Sequence, residues 1–206
     1  MSDIEKLEET KYGIILAFRR YPLKAPLDPY YWVGCLAGDF VHVDVSFCVH
    51  GDPVDSSYTN GVVYTAYMGY PFSAYKNVRY PSEKYDVYYM EVNFEEWHRG
   101  LEYSNQLCAC NIPYNYADLP LCLGLNNLKK KDTDLRDINA CAICSLYCSQ
   151  AVLLILRVMF PTNNDLFQYN SRACSPLSLH SIILSAFIGG FKKVESFLLE
   201  DFGFLS

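Results

Sequence analysis

FVHVDVSFC, Phe40 to Cys48, is the stretch on which the fold turns. Val41, Val43, Val45 and Phe47 alternate with His42, Asp44, Ser46 and Cys48. A period of two is that of a β-strand, with one apolar and one polar face. The polar face sets an imidazole and a carboxylate two residues apart, roughly 7 Å from Cα to Cα. Such a pair inside an otherwise apolar strand is costly to bury unless its polar atoms are bonded. Upstream, YGIILAF (12–18) reads as a buried strand. Downstream, GDPVDSSYTNG (51–61) is turn chemistry, and GVVYTAYM (61–68) is β-rich and pairs with the strand before it. YDVYYMEV (85–92) is a further strand. Asn93 then caps a helix with Glu95 and Glu96 in its first turn and Phe94, Trp97, Leu101 and Cys108 along one stripe. CNIPYNYADLPLCLGL (110–125) is irregular, and 126–139 is a polar loop. A helix follows from Leu146 to Phe160, stopped by Pro161. Ser175 and Pro176 open a last one, Leu177 to Phe187. Strands come first and helices after, an α+β order, read as one domain over residues 1–206.

The totals narrow the function. The 206 residues include 51% hydrophobic ones and carry a net charge of −6. That composition builds a core and offers no basic stripe, so nucleic acid is not the expected partner. The densest basic run, Lys129 to Lys131, is followed at once by Asp132, Asp134 and Asp137, and reads as a solvated loop. The opening MSDIEKLEETK has no apolar signal segment, which points to a reducing, cytoplasmic setting. There the nine cysteines are thiols, metal ligands or catalysts rather than disulfides. No apolar run reaches the roughly 20 residues that span a bilayer. Ala151 to Phe160 and Ile182 to Ile188 suit core helices. The apolar, aromatic tail carries Lys192 and Lys193, but its acidic residues disfavour membrane contact.

In YCSQAVLLIL (147–156) a thiol leads directly into an apolar helix. A thiol becomes a good nucleophile through a helix N-terminus, a neighbouring imidazole, or both. Cys148 stands at the helix start, and His42 is the imidazole on a strand packed against it. The group that holds His42 is Asp44, with Tyr64 and Thr65 on the next strand as competitors. A cysteine in an apolar helix is more often a small buried hydrophobe, so the reading depends on His42. His98, near Glu95 and Glu102, reads as solvated; His50 opens a turn; His180 reads as packing. Cys141, Cys144 and Cys148 would share a helix face, and with Cys108 and Cys110 they suggest metal spacing. The turn residues of paired zinc knuckles are missing, so no metal and no cofactor is expected.

GDFVHVDVSF, IPYNYADL and YCSQAVLLIL together resemble the circularly permuted NlpC-type branch of papain-like cysteine hydrolases. That branch includes the YiiX-like and lecithin:retinol acyltransferase groups. The resemblance runs from about residue 12 to 185 and rests on Tyr147, Cys148, Ser149 and Val152, on Tyr114 and Tyr116, and on Ser175, Pro176 and Leu179. It implies a permuted papain-like fold: an antiparallel sheet carrying the histidine, packed on a buried helix carrying the cysteine. It implies Cys148 as nucleophile, His42 as base, Asp44 as its partner, and a tyrosine hydroxyl, Tyr116 ahead of Tyr114, as an oxyanion donor beside the Cys148 amide. The activity implied is thioester chemistry. A peptidase or amidase acting on a protein or peptide, ubiquitin-like isopeptides included, leads. A lipid acyltransferase or phospholipase, and a non-catalytic interaction domain, are the alternatives. By the same resemblance, small tyrosine- and cysteine-rich versions occur in large DNA viruses as well as bacteria.

Overall fold

The structure, a computed structural model, describes residues 11–21, 38–50, 62–76, 80–117 and 139–194. The expected turn 51–61, the basic run at 129–131, the tail beyond 194 and the side chains of His50 and Cys141 lie outside the described residues. Six strands form one antiparallel sheet: β1 (Lys11–Arg20), β2 (Phe40–His50), β3 (Val63–Thr65), β4 (Ser73–Tyr75), β5 (Tyr85–Val92) and β6 (Lys192–Val194). Their order is β4-β3-β2-β1-β5-β6. Three α-helices accompany it: α1 (Phe94–Ala109), α2 (Cys148–Met159) and α3 (Pro176–Ala186). The architecture is α+β, as the order of patterns suggested. β4 and β6, three residues each, are additions the sequence did not announce.

The alternation of β2 holds, with one break. Val43, Val45 and Phe47 join Ile14, Leu16 and Phe18 of β1 and most of α2 in the main core. Arg19 pairs with His42, but Arg20 pairs with Phe40, so β2 carries one extra residue, Val41, at that point. The slip brings Phe40, not Val41, into the main core with Phe18. An extra residue of this kind bends a strand and re-aims its neighbours, and here the neighbour is His42. The second face of β2 is not solvated. His42, Asp44, Ser46 and Cys48 are all buried. Cys48 belongs to a smaller core with Ile15, Ala17, Val63, Tyr80 and Val87.

α2 is apolar on nearly every side, and its residues from Cys148 to Arg157, with Met159, are buried. Burying one of its leucines contributes about 1.5–3 kcal/mol. Its two ends are tied to the same segment. Near the start, Tyr147 Oη donates to the Ser171 carbonyl and Ser149 Oγ to the Cys174 carbonyl, at 3.0 and 2.5 Å. Near the end, buried Arg157 donates to the carbonyls of Leu166 and Tyr169 at 3.1 and 2.6 Å. α3 opens as expected, with Ser175 Oγ accepting from the Ser178 amide and Pro176 in the first turn.

α1 has the predicted cap. The Asn93 side chain accepts from the Glu96 amide while Glu96 accepts from the Asn93 amide. Its predicted stripe is displaced. The buried line is Trp97, Gly100, Tyr103, Ser104 and Leu107, while Phe94 is 52% exposed. Gly100 explains the shift. A β-carbon there would stand 2.6 Å from Phe47 and 2.7 Å from Met159, so α1 approaches β2 and α2 through its bare backbone. At the far side of the sheet, Asp86 bonds Arg20 and also Lys193 of β6, the latter at 2.6 Å. Burial would raise that carboxyl, but the two cations hold it below its ordinary value. No helix among the described residues is long and apolar enough to cross a membrane.

Candidate active site

Cys148 is the first residue of α2, two residues later than the predicted helix start. Tyr147 is the N-cap, in extended conformation, and its side chain makes no capping bond. The first-turn N–H groups of an α-helix have no partner within the helix, so an anion at Cys148 meets N–H donors and the positive end of the dipole.

His42 comes to this thiol from β2. The ring is 1% exposed, as is Asp44. Nε2 stands 2.8 Å from Asp44 Oδ1 and 3.0 Å from Thr65 Oγ1. A carboxylate only accepts, so Nε2 carries a hydrogen shared between these oxygens, and Nδ1 is the nitrogen left for Cys148. Cys148 is close enough to hydrogen-bond the ring and to act on it by charge. Burial opposes a charged imidazole, but Asp44 and Cys148 outweigh it, and the His42 pKa is pushed up to about 10. Asp44 is buried, and the Tyr80 hydroxyl is the phenol in hydrogen-bonding reach of its carboxylate. Tyr80 lies near enough that burial and the Asp44 charge both push its phenol well up.

Other cysteines behave differently. Burial pushes Cys48 up to about 12 and Cys108 up to about 11, which leaves both as inert thiols. Cys144 is exposed, with no imidazole beside it among the described contacts. Among the described residues no three His, Cys, Asp or Glu side chains gather in a way that could hold a metal.

Of the predicted residues, the structure brings Cys148, His42 and Asp44 together. Between the two rivals on β3 it separates the roles. Thr65 shares the His42 face, whereas Tyr64 pairs with Val45 and sends its hydroxyl to Asn105 on α1. Tyr116 is 54% exposed; its ring rests on Tyr114, and its hydroxyl lies 3.7 Å from where a β-carbon on Gly69 would stand, beside the turn that carries Tyr67. Its segment is fastened to the one that carries Cys148, because Tyr114 bridges Leu146 and the Asn115 amide donates to the Leu146 carbonyl at 2.8 Å. His98 is solvated beside Glu102, and His180 packs among Phe18, Phe40 and Tyr88 with a 2.7 Å bond to the Tyr88 hydroxyl, as expected.

Three neighbours escaped the sequence reading. Tyr67 lies flat on His42, with ring centroids 4.7 Å apart and planes 14° from parallel. Gln150 in the first turn of α2 is buried, and so is Asn115, whose amide reaches Gln150 Oε1 at 3.5 Å. The one available signal for the amides was their closeness to the IPYNY and YCSQ segments. No protein-family model matches this chain, and no curated protein or solved structure shows significant similarity to it.

Proposed function

We propose that the chain is a thiol-dependent hydrolase that cleaves amide bonds of a protein or peptide through a thioester, on a permuted papain-like plan. The observation that carries this reading is one buried cluster: Cys148 at the start of α2, in hydrogen-bonding reach of an imidazole that Asp44 and Thr65 hold from behind. The chain order, histidine strand before cysteine helix, agrees with the permuted plan.

In this reading Cys148 works as a thiolate against the His42 imidazolium. The sulfur attacks the substrate carbonyl carbon, and the oxygen takes the negative charge against the N–H groups that open α2. As the tetrahedral intermediate collapses, the C–N bond breaks and His42 gives its proton to the leaving amine. Neutral His42 then takes a proton from water, whose oxygen attacks the thioester. The acid leaves, and Cys148 and His42 return to their starting charges. Asp44 holds Nε2 and so fixes which ring nitrogen faces the sulfur.

The test is labelling by a thiol-directed activity probe, with the modified residue located by fragment mass spectrometry. Cys144 is exposed and shares a tryptic peptide with Cys148, so the work is done in a Cys144→Ser background. Cys148 is expected to label fastest, and Cys148→Ala or His42→Ala to remove labelling and hydrolysis while the fold persists. Labelling confined to other cysteines refutes the assignment. Ubiquitin-type probes and phospholipid, run in parallel, separate amide hydrolysis from lipid acyl transfer.

A further inference from the structure

We propose that Tyr67 is a positioning residue that fixes the plane of the His42 ring, and that its aromatic face governs how readily Cys148 reacts. This rests on the hydrolase reading above. The Asp44 and Thr65 bonds meet the ring at one atom, Nε2. Bonds at a ring edge lie near the ring plane and resist rocking out of it less than motion within it. Rocking swings Nδ1, the nitrogen left for Cys148. Tyr67 removes that freedom by covering the ring face, 4.7 Å between centroids and 14° from parallel.

Tyr67 is itself held. Its ring meets Tyr75 of β4 edge-on at 5.4 Å and 73°. Its carbonyl accepts from the Tyr70 amide at 2.9 Å, closing a turn in which Gly69 has a φ of +88°. Only Ala66 separates Thr65, the end of β3, from Tyr67, so one short segment supplies both the bond behind His42 and the ring across its face. Among the described residues, the imidazole meets Asp44 from its own strand, Thr65 from β3, Tyr67 from the turn and Cys148 from α2, with Tyr80 behind Asp44. A phenol face also attracts a cationic ring, most strongly where water is excluded.

The test needs no substrate. Alkylation of Cys148 by iodoacetamide is followed from pH 5 to 9 in the Cys144→Ser protein, alongside NMR titration of the His42 ring carried through its midpoint near pH 10. Tyr67→Phe keeps the face and is expected within twofold of the parent rate. Tyr67→Leu is expected to react about three- to tenfold more slowly at pH 6, with the His42 midpoint lowered by about 0.5–1 unit. Tyr67→Met, similar in reach but without a π face, is expected to match Tyr67→Leu and serves if leucine unfolds the turn. Unchanged rates and midpoint in folded Leu and Met variants overturn the inference. So does a Tyr67→Phe protein as slow as Tyr67→Leu, since the hydroxyl would then be the active part. A parent protein whose Cys148 reacts no faster than free cysteine overturns the hydrolase reading instead.

Discussion

Asp44→Asn changes one atom type and keeps the shape of the side chain, so it isolates the charge behind His42. The acceptor oxygen at 2.8 Å from Nε2 is retained, and Thr65 still stands at 3.0 Å. What disappears is a buried negative charge roughly 4 Å from the centre of the imidazolium, worth about 4 kcal/mol at an effective dielectric of about 20. That equals about three pKa units. The His42 pKa, about 10 in the native protein, would fall to about 7 or below, since the burial that opposes the charge is unchanged. At neutral pH the ring would then spend half its time or more uncharged. The expected loss in kcat/KM and in Cys148 alkylation is about twofold at pH 7 and grows to about 10²-fold at pH 9, where a ring with a pKa near 7 is charged only about 1% of the time. Thr65→Val removes one neutral hydrogen bond and is expected to cost about fivefold, near 1 kcal/mol. Both variants are measured by alkylation rate and by His42 ring titration, with thermal melts to confirm folding. A loss below threefold at pH 9 for Asp44→Asn, or a larger loss there for Thr65→Val than for Asp44→Asn, would show that the carboxylate is not the group on which His42 depends.

The same charge has a stability signature. A histidine whose folded pKa lies above its unfolded value near 6.5 stabilises fully below that value, and the stabilisation is lost as pH rises to about 10. The melting temperature of the native protein is expected to fall across pH 7–10, and the fall to be smaller in His42→Asn; equal slopes in the two proteins contradict the assignment. Gly100→Ala is expected to destabilise by about 1–3 kcal/mol in denaturant titration. The new methyl group meets the Phe47 ring at 2.6 Å, and this outweighs the helix propensity gained, about 1 kcal/mol. A more stable Gly100→Ala protein would mean that α1 does not pack on β2 through that glycine.

How far the sequence was legible follows from where each signal is stored. β2, β5, the Asn93 cap and the Ser175–Pro176 start are written in adjacent residues, and they appear where expected. β4 and β6 are too short to carry a period, and pairing alone creates them. The choice between Tyr64 and Thr65 was open because residues one apart on a strand face opposite ways. Only the register, Val45 against Tyr64, decides it. Polarity along β2 marked His42 and Asp44 as a pair, but nothing local said that their face is buried beneath residues such as Tyr80. Tyr67 was invisible because it follows the end of β3, where a turn rather than strand alternation sets its direction.

Cys148 and His42 stand more than a hundred residues apart in the chain, and everything that brings them together is tertiary: sheet register, the α2–β2 contact and the ties from α2 to residues 166–174. A growing chain therefore exposes the histidine strand long before Cys148 is made. When the cysteine emerges from the ribosome, the segment that anchors its helix has yet to be made. In the proposed reading, reactivity arrives only when residues 166–174 have closed on α2, so a product that stops short of them carries both groups without the site.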